Sequence, residues 1–151
     1  MRGNAGRVAV GEFALWITDP HGKDQVSGEL PQRVFTLDEN FMVARRSANL
    51  CLLRDLTGYR MYGPDLCMMA DVTGHTCYVI DFHQHHLIGG TQDDSFSIAA
   101  DAFARKYARA FRLRWVRTTV VPVFLSGTRL VRNAATSRVG RAFGTKGWPR
   151  R

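Results

Sequence analysis

The chain has 151 residues, of which 45% are hydrophobic and 11% aromatic, so it can bury one core and is not disordered throughout. Its apolar runs are all shorter than the roughly eighteen residues that a membrane span requires, and we therefore expect no membrane partner. The formal net charge of +8 favours an anionic partner.

The first sixty residues are predicted to form an N-terminal extension with its own strands and helix. The apolar run at residues 13–17 predicts a strand, and residues 34–37 predict a second, shorter one. From Asp38 to Leu52 the apolar residues recur at helical spacing, and Asp38 is a suitable N-cap. This segment is therefore predicted to be a helix.

Residues 66–80 are predicted to form a β-hairpin. Two apolar runs, 66–70 and 77–80, flank a segment that contains Asp71 and Gly74. Asp and Gly favour a turn, and β-branched and aromatic residues in the second run favour a strand.

The remainder of the chain is predicted to alternate helix, strand and helix. Apolar residues between Phe96 and Phe111 recur at three- and four-residue spacing, which predicts an amphipathic helix. Residues 118–125 are rich in β-branched residues and predict a strand. A four-residue apolar repeat from Val131 to Val139 predicts the last helix.

This order of elements, with several short motifs, resembles the small-subunit ribosomal protein eleven family. That family has an Asp-x-x-Gly turn, a glycine loop and an Ala-Ala helix start, then glycine, arginine, an alanine pair and a large aliphatic residue after its third strand. The matching positions are Asp71 to Gly74, Gly89 and Gly90, Ala99 and Ala100, Gly127, Arg132, Ala134 and Ala135, and Val139. The loop at residues 91–95 is acidic here, whereas the family's loop is basic.

The resemblance implies an α/β domain in which a β-hairpin leads a mixed sheet with flanking helices, the ribonuclease-H-like architecture of ribosomal proteins. This domain would span residues 61–144, between the extension at 1–60 and a basic tail at 145–151. The implied function is that of a structural, non-enzymatic constituent of the small ribosomal subunit platform. Its partners would be small-subunit rRNA and neighbouring ribosomal proteins, in a mitochondrial ribosome. No catalytic residue, metal or cofactor is implied.

Positive charge is concentrated in the last third of the chain. From Ala102 to Arg151 there is no Asp or Glu, whereas 13 of the 21 Lys and Arg residues lie there. Such a segment favours a polyanionic neighbour, and arginine pairs bidentately with phosphate. The alternative is a solvated basic surface without a partner. The predicted RNA-binding residues are Arg105, Lys106, Arg109, Arg112, Arg129, Arg132, Arg138, Arg141, Lys146, Arg150 and Arg151.

A metal-dependent nuclease of the restriction type is the alternative function. Asp65, which follows Pro64, and Asp81 resemble the paired carboxylates of such enzymes, with Glu39 upstream. Carboxylates on neighbouring strands would hold Mg²⁺. However, His83 occupies the position of the expected lysine.

Residues 83–86 contain three histidines, and His83 and His85 would share one face of a strand. Enzymes that nick DNA with a tyrosine have such a metal-binding pair, and Tyr107 would then be the nucleophile. Tyr107 also belongs to the apolar stripe of a predicted helix, so a structural role for it is favoured.

The three cysteines, Cys51, Cys67 and Cys77, show no C-x-x-C spacing. This argues against a zinc knuckle and against a disulfide framework. We expect free, buried thiols.

Overall fold

The structure is a computed structural model that describes residues 1–9, 11–56, 58–88, 93–117, 119 and 122–142. Within these residues the protein is a mixed α/β protein with several sheets and three α-helices. The chain divides into two compact units, Met1–Phe103 and Ala104–Arg151.

The first unit contains two sheets built from short strands. These strands are β1 (Arg2–Gly3), β2 (Ala5–Ala9), β3 (Glu12–Asp19), β4 (Gly22–Ser27), β5 (Gln32–Val34), β6 (Thr36–Leu37), β7 (Met42–Val43), β8 (Cys77–Val79) and β9 (Gln84–His85). One sheet has the order β4-β3-β2-β6, with β9 parallel to β3. The other has the order β5-β8-β1-β7, in which β1 is parallel to β8 and antiparallel to β7.

Strand β3 confirms the strand predicted at residues 13–17. Ala14 and Ile17 of this strand are buried, and β3 pairs with β2 on one edge and with β4 on the other. The Asp19 carboxylate accepts hydrogen bonds from the backbone N–H groups of His21 and Gly22, at 2.8 and 3.2 Å, and so closes the turn into β4. The strand predicted at 34–37 is divided between β5 and β6, which belong to different sheets.

Helix α1 (Tyr62–Val72) replaces the first strand of the predicted hairpin, and that prediction is wrong. Residues 66–70 are Leu, Cys, Met, Met and Ala, which include strong helix formers and no β-branched residue. Pro64 lies in the first turn, where a missing N–H costs little. Gly74, with a φ of 79°, lies just beyond the helix end in the left-handed conformation. The second predicted strand is confirmed as β8.

The helix predicted from Asp38 to Leu52 is also wrong. This segment contains strand β7 and a three-residue 3₁₀ turn at Arg46–Ala48. Strand β7 pairs with β1, and Phe41 stacks on Phe82 with ring centroids 4.5 Å apart. Tertiary pairing therefore uses the apolar residues that the periodicity assigned to one helix face.

The core of the first unit combines residues from both sheets and α1. Its buried members are Ala14, Val34, Leu37, Cys67, Ala70, Cys77 and Val79. Residues of the predicted N-terminal extension thus contribute directly to this core.

Helix α2 (Asp94–Ala110) confirms the predicted amphipathic helix. The Asp93 carboxylate accepts hydrogen bonds from the N–H groups of Ser95 and Phe96, at 3.0 and 3.3 Å, in the manner of an N-cap. The hydrogen bond from the Ser95 hydroxyl, supported by these N–H groups, lowers the pKa of Asp93.

The second unit contains the antiparallel strands β10 (Arg114–Arg117) and β11 (Pro122–Leu125), followed by α3 (Arg129–Ala142). Cross-strand contact between Trp115 and Phe124, with ring centroids 5.1 Å apart, stabilises the pair. Helix α3 confirms the last predicted helix, and β11 confirms the end of the strand predicted at 118–125. Residues 118, 120 and 121 lie outside the described part, and β10 corresponds to no predicted element.

The fold class is confirmed as mixed α/β, but the ribonuclease-H-like ribosomal architecture loses the hairpin on which it depends. The predicted boundaries at residues 60 and 144 stay a prediction. The glycine loop at residues 89 and 90 and the tail at 145–151 lie outside the described residues. Across the described ranges, no helix has the length and apolar character needed to cross a membrane.

Candidate functional site

The predicted cationic residues that the structure describes belong to the second unit. The side chains of Arg109, Arg112 and Arg129 are exposed. The Arg114 guanidinium donates hydrogen bonds to the carbonyl oxygens of Arg109 and Ala110, at 2.8 and 3.3 Å. A cation at these carbonyls complements the negative end of the α2 dipole, so Arg114 stabilises the helix end.

The remaining predicted residues are described only in part. Arg105 and Lys106 lie on α2, and Arg132 lies on α3. The side chains of Arg138 and Arg141, and all of Lys146, Arg150 and Arg151, fall outside the described part. The structure therefore brings Arg105, Lys106, Arg109 and Arg112 onto or next to one helix, and a binding role for the full set stays a prediction.

Charge is strongly divided along the chain. Residues 1–101 hold all 13 Asp and Glu residues and 8 of the Lys and Arg residues, which gives a formal charge of −5. The remaining residues carry +13. The predicted excess of positive charge thus falls almost entirely within the second unit.

The carboxylates of the nuclease alternative are not arranged as that alternative requires. Asp65 is only 2% exposed and lies on α1 rather than on a strand, whereas Asp81 is exposed after β8. Glu39 accepts a hydrogen bond from the N–H of Gly63 at 3.2 Å and so holds the start of α1. Burial raises the pKa of Glu39 despite this bond. Nothing in this geometry supports a nuclease, and that prediction is wrong.

Metal binding finds no support among the residues that the structure describes, since no three His, Cys, Asp or Glu side chains are grouped to hold an ion. His83 Nε2 lies 2.9 Å from Thr18 Oγ1 and 3.5 Å from Asp24 Oδ1. These contacts attach the segment around β9 to the β3–β4 hairpin, which is a structural role. Tyr107 stacks on Phe111 with ring centroids 5.5 Å apart, in agreement with the structural interpretation of Tyr107.

A cleft of about 440 Å³ in the first unit has no counterpart in the sequence predictions. Val34, Phe35 and Met68 form apolar parts of its lining, and Cys67 and Cys77 also line it. Both cysteines are free and buried, as predicted, whereas Cys51 is exposed. The sequence does not indicate that Cys67 and Cys77 lie close together, because a ten-residue separation of two cysteines is not a known ligand or redox spacing.

The comparisons with known proteins point away from the ribosome. No family model matches the chain. A curated protein of Fuscovulum blasticum, "ATP synthase subunits region ORF 6", is 38% identical over 114 residues, which are 76% of this chain and 46% of that protein. The chain thus spans about half the length of the curated relative that it matches.

This relative overturns the ribosomal prediction, because its name refers to ATP synthase subunits and not to a ribosome. The predicted membership in the small-subunit ribosomal protein eleven family is wrong. So are the predicted rRNA and ribosomal-protein partners and the location in a mitochondrial ribosome. The chain is similar to a bacterial protein from the region of ATP synthase subunits.

Proposed function

We propose that this chain is a non-catalytic protein that associates with ATP synthase. The observation that carries the proposal is its 38% identity, over 114 residues, to a reading frame named for the ATP synthase subunits region. Because these residues are 76% of this chain, the proposal concerns most of the molecule.

The second unit supplies the chemistry for such an association. Its formal charge of +13 produces a positive potential that steers an acidic protein surface toward it. Arg112 and Arg129 are exposed and available for this contact. We therefore propose that the partner is an acidic face of an ATP synthase subunit, bound through the second unit.

A binding role also agrees with the structural contacts that two carboxylates of the first unit make. Glu39 accepts from the backbone at the start of α1, and Asp93 accepts from the backbone at the start of α2. Hydrogen bonds of this kind stabilise helix ends and leave these carboxylates in structural contacts.

Direct binding to purified ATP synthase of Fuscovulum blasticum tests the proposal. The full chain would be immobilised, and the dissociation constant measured at several salt concentrations. The test variant is Arg112→Glu with Arg129→Glu in the second unit. The matched control is Arg45→Glu with Arg54→Glu, since these exposed residues lie in the first unit and give the same change in net charge.

We expect the wild-type chain to bind, and to bind more weakly as salt rises. The second-unit variant should lose roughly tenfold in affinity, which corresponds to about 1.4 kcal/mol, and the control should stay near wild type. The absence of binding by the wild-type chain would refute the association. An equal loss in both variants would refute the assignment of the surface.

A further inference from the structure

Two buried thiols meet in the core of the first unit. Cys67 lies in the middle of α1, and Cys77 begins β8. Both side chains belong to one buried core cluster, together with Val34 and Leu37. The backbone N–H of Leu37 donates to the Cys67 sulfur at 3.3 Å, which fixes the position of that sulfur against β6.

The thiol pair is reached through the cleft rather than from the open surface. Cys67 and Cys77 are 2% and 5% exposed, yet both line the 440 Å³ cleft. The same lining includes the exposed residues Arg33, Asp71 and His75, so the cleft connects the buried sulfurs to solvent. Its volume lies within the range of small-molecule sites, about 300–1,000 Å³.

The interaction between the two thiols makes them chemically unequal. The hydrogen bond from Cys67 lowers the pKa of Cys77, although burial opposes the shift. The same interaction, together with burial, raises the pKa of Cys67. Among the charged groups around Cys77, Arg33 lowers its pKa and Asp71 raises it. Cys77 is thus the sulfur that more readily becomes a thiolate, which is the form that attacks a disulfide.

We propose that Cys67 and Cys77 form a redox-active dithiol, which a low-molecular-weight disulfide entering the cleft oxidises to an intramolecular disulfide. The Cys77 thiolate attacks one sulfur of the small disulfide, forms a mixed disulfide and expels one small thiolate. Cys67 then loses its proton and attacks the Cys77 sulfur, which expels the second small thiolate. The protein loses two electrons and two protons, and the small disulfide is reduced to two thiols.

The apolar lining of the cleft determines the choice of probe. Val34, Phe35 and Met68 favour a neutral, compact disulfide, so hydroxyethyl disulfide is the reagent used. Cys51 is an internal control, since it is exposed and lies outside the cleft. This proposal concerns the first unit and does not depend on the association with ATP synthase.

The full native chain would be treated with hydroxyethyl disulfide, blocked with N-ethylmaleimide and digested with trypsin. No Lys or Arg lies between Arg60 and Arg105, so Cys67 and Cys77 fall in one peptide and Cys51 in another. An intramolecular disulfide appears as a peptide that is two hydrogen atoms lighter and carries no maleimide. Later treatment with dithiothreitol should restore two alkylatable thiols.

Single variants, made in a Cys51→Ala background, separate the roles of the two sulfurs. Cys67→Ala should accumulate the hydroxyethyl adduct on Cys77, because the second step is removed. Cys77→Ala removes the attacking sulfur, so it should form no intramolecular disulfide, and burial still raises the pKa of the remaining Cys67 thiol. Far-UV circular dichroism would establish that each variant keeps its secondary structure.

The proposal fails if the wild-type peptide keeps two free thiols while Cys51 becomes modified. It also fails if the disulfide forms only in denaturant, or if Cys67→Ala accumulates no hydroxyethyl adduct on Cys77. Because the wild-type measurement needs no substitution, a variant that does not fold leaves the test intact.

Discussion

Replacing Gly63 by alanine at the start of α1 has two opposite effects on stability: alanine favours the helix, but its added Cβ meets neighbouring atoms. Replacing glycine by alanine within a helix ordinarily stabilises a protein by roughly 0.5–1 kcal/mol. In this structure, however, an added Cβ would lie 2.8 Å from the carbonyl oxygen of Leu37 and 3.1 Å from Cγ of Glu39. The contact with Leu37 is about 0.6 Å shorter than the 3.4 Å at which ordinary van der Waals contact begins.

The Leu37 carbonyl cannot move away at little cost. Leu37 belongs to β6, which pairs with β2, and its N–H donates to Cys67 Sγ. Forcing an extra methyl group into such packing costs roughly 1–3 kcal/mol, which exceeds the gain in helix propensity. We expect Gly63→Ala to lower the free energy of unfolding by about 1–2 kcal/mol.

Urea denaturation followed by far-UV circular dichroism measures this difference. Gly127→Ala is the matched control, because an added Cβ there would meet nothing within 4 Å. The control should change stability by less than about 0.5 kcal/mol. If Gly63→Ala is as stable as wild type or more stable, α1 does not pack against β6 as closely as described.

Two further predictions follow from ionisable side chains at helix starts. Burial raises the pKa of Glu39, so its ionisation opposes folding above that raised value and has no effect below the ordinary value of 4.5. Glu39→Gln keeps an acceptor for the Gly63 N–H and should therefore be more stable than wild type at neutral pH. In urea titrations this difference in stability should vanish as the pH falls through 4.5. A difference that does not change with pH would contradict the raised pKa of Glu39. The Ser95 hydroxyl is the chief cause of the lowered pKa of Asp93. The Asp93 carboxylate therefore stabilises the folded protein above pH 3.8, and this stabilisation is lost as the pH falls through the pKa of Asp93 in the folded protein. Asp93→Ala should increase amide hydrogen exchange in the first turn of α2 at neutral pH, whereas Asp93→Asn should largely retain protection, and equal exchange in both would show that Asp93 is not the cap.

The elements that were predictable from the sequence are those whose pattern is long and regular. Helix α2 has an apolar stripe over four turns and a capping aspartate, and both features are local. Strand β3 is an apolar run followed by a turn whose aspartate binds its own backbone. In such segments the residues that determine the structure are neighbours in sequence, so tertiary context changes little.

The errors arise where one local signal is compatible with two structures. The Asp71-x-x-Gly74 segment fits a hairpin turn, but the same glycine conformation, here with a φ of 79°, terminates a helix. The residues before it decide between the two, and residues 66–70 favour a helix by propensity. The ribosomal resemblance used this segment as a turn, so an error in one element affected the whole fold assignment.

The cleft and its thiol pair required information that no local pattern contains. Cys67 reaches Cys77 because α1 ends at Val72 and the chain reverses within four residues into β8. Val34 and Leu37, which share the core with these thiols, come from strands that the sequence analysis assigned to a separate extension. Contacts between such distant segments depend on how the two sheets pack against each other and against α1, and the sequence patterns do not determine this packing.

Charge illustrates which part of a functional prediction survives an error in the fold. The absence of acidic residues after Asp101 is a property of composition, so it holds whatever the elements are. Positive charge selects an anionic partner, but Coulomb attraction alone does not distinguish a phosphate backbone from a carboxylate-rich protein surface. The ribosomal resemblance had selected the phosphate backbone of rRNA, and the relative named for the ATP synthase subunits region overturns that selection. The expectation of an anionic partner stays a prediction, and the identity of that partner has to come from binding measurements with charge-matched variants.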